Sequence, residues 1–303
     1  GTFVKMDTRG TKNAILSTTI VVAGHPCDGF DEMYFGETKL TFSSATVNGE
    51  TVYSVTNTKF RNSENDNAFG TDTLARFTFH DGSQTAVDGL AAAGSSSRYP
   101  STAKFLGCTY FYLELVYDPE KMPNIPKIWF VMRGKNIWDP RANSGNGAIS
   151  TTDAQRQNPA LQIRDYLTDT TYGLKALDSE LNDGTSGGGF SSAANLCDTL
   201  VTLADNSTTE RRYTSSGISN FSASGSGLIE AITTSCAGNL TYTNGKFNLF
   251  AGASQTAALT ITDDKLLAPP RITTQSQSGE LFNAVKSIYI NKNDNYQASE
   301  IGQ

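Results

Sequence analysis

The chain has 303 residues, 38% hydrophobic and only 18% charged, with a formal net charge of −6 and a pI near 5.0. That length is enough for one large domain or two to three smaller ones with real cores, and the abundance of Ser, Thr, Asn and Gly suits a β-rich, loop-rich protein better than a helical bundle. The absence of a Lys/Arg cluster argues against a phosphate grip on nucleic acid, and no apolar run approaches the roughly 20 residues that a bilayer span requires.

Residues 1–6 do not have the layout of a signal peptide. A start at Gly1 rather than Met is expected of an excerpt or a processed product. Residues 14–56 read as strands. Ala14–Val22 is an apolar β-branched run, broken by Gly24-His25-Pro26-Cys27-Asp28-Gly29. Short strands follow at Glu32–Phe35 and Lys39–Phe42. Val47-Asn48-Gly49-Glu50 predicts a hairpin, because Asn-Gly accepts the positive φ of a tight primed turn. Residues 57–72 form a polar loop, Leu74–His80 a strand, and residues 91–104 a second loop. Cys108–Tyr117 is the strongest strand of the chain. After three prolines in 118–126, Lys127–Arg133 and Asn136–Trp138 are expected to form a hairpin over Gly134-Lys135. Residues 142–157 make a third polar loop.

The next stretch, Asn158 to Leu174, carries a short helix with both ends written into it. Asn158 is a good N-cap, Pro159 fits the first helical position, and Gly173 supplies a stop. Ala160, Ile163, Tyr166 and Leu167 share one face; Gln162 and Asp165 lie on the other. This helix is the pivot between a strand-rich half and a mixed half. Ser191–Ala204 is expected to be an amphipathic helix with Ala193, Leu196, Cys197, Leu200 and Leu203 on one face. Arg211–Ile218 reads as a strand. A second helix carries Leu228, Ile229, Ile232 and Cys236 and stops at Gly238. A hairpin over Asn244-Gly245 then pairs Thr243 with Lys246, Tyr242 with Phe247 and Leu240 with Leu249. Ala257–Thr262, Arg271–Ser278 and Ala284–Asn291 are the last predicted strands, and Asp263-Asp264 can cap a helical turn. No internal repeat or heptad is present. The whole predicts a β-dominated α+β, multi-domain chain: a β-rich module over 1–156, the pivot helix with a small helix–strand–helix–hairpin module over 157–256, and returning strands over 257–303.

Each feature that could carry chemistry has a plainer structural reading. Gly184-Thr185-Ser186-Gly187-Gly188 matches a G-x-S-x-G nucleophile pattern, but it sits in a polar loop instead of between a strand and a helix. His25 and His80, the only histidines, read as ordinary turn residues without an evident partner. Asp31-Glu32 and Asp263-Asp264 are adjacent and point apart on a strand, so they make poor acid/base pairs. Glu64, Asp66 and Asp72 lack the spacing of a calcium loop. Cys27, Cys108, Cys197 and Cys236 show no metal-binding spacing, and small buried thiols are preferred over disulfides or zinc. Sequons at Asn206, Asn220 and Asn239 bear on function only in a eukaryotic secreted protein. Tyr110, Phe111, Tyr112, Tyr117, Trp129 and Trp138 suit a core or an interface; a carbohydrate platform is the alternative. No catalytic residue, cofactor or metal site is expected.

Several segments together resemble the central tail hub (tail-tip, host-specificity) proteins of long-tailed bacteriophages. They are Ala23-Gly24-His25-Pro26-Cys27-Asp28-Gly29-Phe30 with the strand after it, Arg133-Gly134-Lys135-Asn136-Ile137-Trp138-Asp139-Pro140-Arg141, and Asn158-Pro159-Ala160-Leu161 leading into Arg164-Asp165-Tyr166-Leu167 and Tyr172-Gly173-Leu174. Downstream come Arg211-Arg212-Tyr213-Thr214, Cys236-Ala237-Gly238, the Asn-Gly hairpin and Glu280-Leu281-Phe282-Asn283-Ala284-Val285. The resemblance implies a non-enzymatic structural protein of the virion tail tip, made in the host bacterial cytoplasm. It would be a homotrimer with β-barrel or β-sandwich modules that closes the tail tube, meets the distal tail protein, carries fibre or spike proteins, and serves host attachment and DNA ejection. Contact with a host receptor would be indirect, because such proteins commonly continue into recognition modules beyond this region. An acidic lumen would keep the DNA passage non-adhesive. A receptor- or carbohydrate-binding adhesin is the alternative function.

Overall fold

A computed structural model describes the chain except residues 64–67, 95–98, 204, 221–223, 255–258, 269–285, 287, 292–293, 295 and 301–303. Strands and helices follow in chain order: β1 Thr2–Arg9, β2 Ile15–Ala23, β3 Gly29–Phe35, β4 Thr38–Lys39, β5 Phe42–Val47, β6 Glu50–Val55, β7 Ala75–His80, α1 Gly89–Gly94, β8 Thr109–Val116, β9 Ile128–Arg133 and β10 Ile137–Asp139. The second part holds the irregular single turn α2 Ala142–Gly145, β11 Ala148–Ser150, α3 Asp153–Arg156, α4 Pro159–Thr168, α5 Phe190–Asp198, β12 Leu200–Thr202, β13 Thr209–Arg211, α6 Gly225–Ser235, β14 Asn239–Thr243, β15 Lys246–Phe250, β16 Ile288–Asn291 and β17 Gln297–Glu300. The fold is a strand-dominated α+β structure. It divides into two compact units, Gly1–Ala253 and Ser254–Gln303.

In the first unit a six-stranded antiparallel sheet runs β1-β2-β8-β7-β6-β5, and a three-stranded one runs β4-β3-β9. The smaller sheet packs on one face of the larger. Phe30 of β3 reaches Phe77, Phe79 and Phe111, and Phe130 of β9 stacks on Phe111 with ring centroids 4.2 Å apart. Alternation along β8 sends Phe111, Leu113 and Leu115 into this aromatic core. Tyr110 and Tyr112 point to the opposite face, where they meet Leu90 and Ala91 of α1 and Tyr99. Covered on both sides, all eight residues of β8 are buried.

A separate core lies over residues 137–251. The buried face of α4 (Ala160, Leu161, Ile163, Leu167) packs with Phe190, Ala193, Ala194 and Cys197 of α5, with Cys236, and with Leu249 of β15. Asn158 caps α4 as expected, accepting from the backbone N–H of Ala160 and Leu161. The β14–β15 hairpin has the predicted register, Thr243 to Lys246, Tyr242 to Phe247 and Leu240 to Leu249. Both Asn-Gly turns hold positive φ, 51° and 83° at Asn48-Gly49 and 54° and 75° at Asn244-Gly245. Gly173 is required by contact: a Cβ there would stand 2.0 Å from the Tyr166 carbonyl oxygen.

Several expectations are corrected. Residues 127–138 contain two strands but no hairpin. Gly134 O accepts from Asp28 N, β9 pairs with β3, and β10 turns away to pair with β11. The strand β1 is additional, and it pairs along its length with β2. Residues 89–94 are helical because Asp88 accepts from the Ala91 N–H and caps the turn. The loop 142–157 contains β11 and α3, the latter capped by Thr152. The helix predicted over 191–204 ends at Asp198, and Leu200 joins a two-stranded ribbon with Arg211. The predicted strand 211–218 is confined to Thr209–Arg211.

The second unit contributes, among the described residues, a 3-10 turn at Asp263–Lys265 and the antiparallel β16–β17 hairpin. Leu259, Ile261, Leu267 and Ile288 are exposed there. Residues 259–262 form no strand. The predicted strand 271–278 and residues 280–285 lie outside the described residues. Among the described residues no helix is long and apolar enough to cross a membrane.

Candidate functional site

Three of the segments singled out in the sequence converge. Arg133, at the end of β9, donates from Nε to Asp28 Oδ2 at 2.9 Å and pairs through Nη1 with Asp31. Arg156 of α3 reaches the same Asp28 Oδ2 at 3.3 Å and donates to Asn136 Oδ1 at 2.8 Å. Asn136 Nδ2 donates to Asp28 Oδ1 at 3.3 Å, so one carboxylate is shared by three side chains from two separate stretches. Lys135 points toward the pivot helix and bridges Asp165 Oδ2 and Asp169 Oδ2 at 2.8 and 2.6 Å. Asp169 Oδ1 then accepts the backbone N–H of Thr171 and Tyr172, and the Tyr172 hydroxyl donates to Gly24 O. Chain segments 24–31, 133–136, 156 and 165–172 therefore close into one polar ring between the sheet core and the helical core.

The electrostatics follow from this geometry. Burial works against ionisation of Asp169, but Lys135 and the two backbone N–H groups outweigh it and draw its pKa down to about 2. Asp28 is likewise lowered: burial opposes, and Arg133, Asn136 and Arg156 prevail. Burial dominates at Asp165, whose pKa is raised despite Lys135. Lys135 is itself raised, the two carboxylates overcoming desolvation.

Two further arginines extend the arrangement. Arg141 forms a two-pronged contact with Asp139, at 2.9 and 2.8 Å, and reaches Asp198 at 2.8 Å. Arg164, only 4% exposed, grips both oxygens of Asp183 at 2.8 and 2.7 Å. Such paired contacts fix orientation more tightly than a lysine could.

The remaining candidates are scattered. Ser186 sits in the loop before α5, away from both histidines: His25 faces Tyr172 and Cys27, and His80 faces Asp88. Asp31 and Glu32 serve different partners, Arg133 on one side and Tyr34 with Lys39 on the other. Asp72 pairs with Arg61, while Glu64 and Asp66 lie outside the described residues. All four cysteines are free, and Cys197 and Cys236 are fully buried against each other. Of the aromatics, Tyr110, Phe111 and Tyr112 are core. Tyr117, Trp129 and Trp138 are exposed, the two tryptophans on different sheets. Sequence reasoning missed the surroundings of His80. It ends β7 with a side chain 9% exposed, 2.7 Å from Asp88 Oδ2 and 3.8 Å from Glu50 Oε2. Its partners stand 8 and 30 positions away, so no local spacing announces them.

No known protein-family model matches the chain, and no curated protein matches it.

Proposed function

We propose that this chain is a structural hub protein of a long-tailed bacteriophage tail tip: a homotrimer that closes the tail tube, meets the distal tail protein and carries fibre or spike proteins. The reading rests on one observation. The turn around Asp28, the Arg133–Asn136 segment and the helix entered through Asn158-Pro159 resemble hub segments in order, and their polar residues meet in one ring. Residues that serve only to hold two cores together are what a structural part needs, and the same residues would be unremarkable as separate surface charges. In this role the β-rich part forms the hub barrel or sandwich, and no substrate is turned over.

Light scattering after size exclusion tests the proposal. A mass of three chains is expected. A monomer, both for residues 1–303 and for a version extended by its flanking sequence, overturns it. Glycan binding that disappears in Trp129→Ala or Trp138→Ala would instead establish the adhesin reading.

A further inference from the structure

The outer face of the six-stranded sheet carries a second cluster of polar groups. Glu50 opens β6, His80 closes β7, and Asp88 immediately precedes α1. One ligand atom from each lies within 4.8 Å of the other two. The side chains are 25%, 9% and 3% exposed, respectively. Each carboxylate is already oriented by the rest of the fold. Asp88 Oδ1 accepts the Ala91 N–H at 2.6 Å, and Asp88 Oδ2 accepts the Thr78 hydroxyl at 2.5 Å. Glu50 Oε1 accepts the Gly89 N–H at 3.0 Å, which leaves Oε2 turned toward His80. Outer hydrogen bonds of this kind are how proteins aim metal ligands.

A second, independent observation comes from Tyr110. Its ring stacks on His80 with centroids 4.5 Å apart and an interplanar angle of 15°. The residue is 1% exposed, and among the described residues its hydroxyl has no hydrogen-bond partner. Buried hydroxyls without a partner are rare.

We propose that Glu50, His80 and Asp88 bind a divalent transition-metal cation, with a metal-bound water as the further ligand and as the partner that the Tyr110 hydroxyl lacks. One imidazole and two carboxylates suit Zn²⁺, which takes three protein ligands and a water readily. Ca²⁺ seeks six to eight oxygens, and Cu⁺ prefers thiolates. The charges balance: two carboxylates neutralise the cation, and the neutral imidazole of His80 would ligate through its Nε2 lone pair. The ion would pin β6, β7 and the start of α1 together over the outer face of β8.

The test uses the full chain stripped with EDTA and titrated with ZnCl₂ by calorimetry, with melting followed in parallel. One saturable equivalent per chain and a raised melting temperature are expected. Because the chain has only two histidines, His80→Gln and His25→Gln separate this site from the partly buried His25–Cys27 pair. His80→Gln should abolish the equivalent and His25→Gln should retain it. If His80→Gln fails to fold, Glu50→Gln decides, with affinity weakened at least about tenfold. No saturable equivalent, one that survives both His80→Gln and Glu50→Gln, or one lost in His25→Gln overturns the proposal and leaves His80 as a residue held between two carboxylates. None of these outcomes depends on the trimer.

Discussion

Lys135 is the residue on which the polar ring turns, because its two carboxylate partners behave oppositely. Asp169 and Asp28 ionise in the folded chain below the ordinary carboxylate value of 3.8. Their contribution to stability is therefore complete above about pH 4 and is lost as the pH falls toward 2. Asp165 is raised and takes its proton earlier, so its own contribution has the reverse sign. The first unit should lose melting temperature between pH 4 and 2, and Asp169→Asn should flatten that slope in thermal melts. Lys135→Met leaves both acids without their cation in a partly buried setting. A loss of roughly 2–3 kcal/mol in urea unfolding is expected near neutral pH, where an intact ring resists. An equally stable variant would show that the ring contributes nothing to stability.

At the level of single elements, the cap of α4 does two jobs. Asn158 accepts from two backbone N–H groups of its own helix and donates to Ala194 O of α5. Asn158→Ala should cost about 1–2 kcal/mol, measured by denaturant melts. Gly245→Ala, forced to hold a φ of 75°, should lower stability by about 1 kcal/mol without changing the register of β14–β15. These two elements were legible because their signals are local: a cap followed by proline, and an Asn-Gly turn between alternating residues. Where partners come from far along the chain, the local reading fails. Leu200 and Leu203 continue the helical spacing of Cys197, yet Arg212 N and Tyr213 N donate to Thr199 O and Cys197 O and draw the chain into the β12–β13 ribbon. Lys127–Arg133 reads as one arm of a hairpin, but β3, a hundred residues earlier, takes it. The same distance hides the site chemistry. The residues of the polar ring, Arg156 of the predicted loop 142–157 apart, stand in the segments chosen from sequence, whereas Glu50, His80 and Asp88 acquire meaning only once β6 and β7 lie side by side.

For the molecule as a whole, β8 is the keystone: it lies between β2 and β7 and is covered on both faces. Its amides should exchange with deuterium more slowly than those of the edge strands β1 and β5, and slower exchange at either edge would contradict this layering. The pairing of β2 with β8 joins residues roughly a hundred positions apart, as Ile15 with Val116. During synthesis at about 5–20 residues per second, β2 therefore waits on the order of 5–20 s for its central partner. Through that interval Ile15, Ile20 and their neighbours face the cell with one edge unpaired, in a stretch that is apolar and β-branched. The chain's most exposed moment to aggregation or to chaperone capture thus falls before half of it has been made, and lies in the order of its strands rather than in the stability of the finished fold.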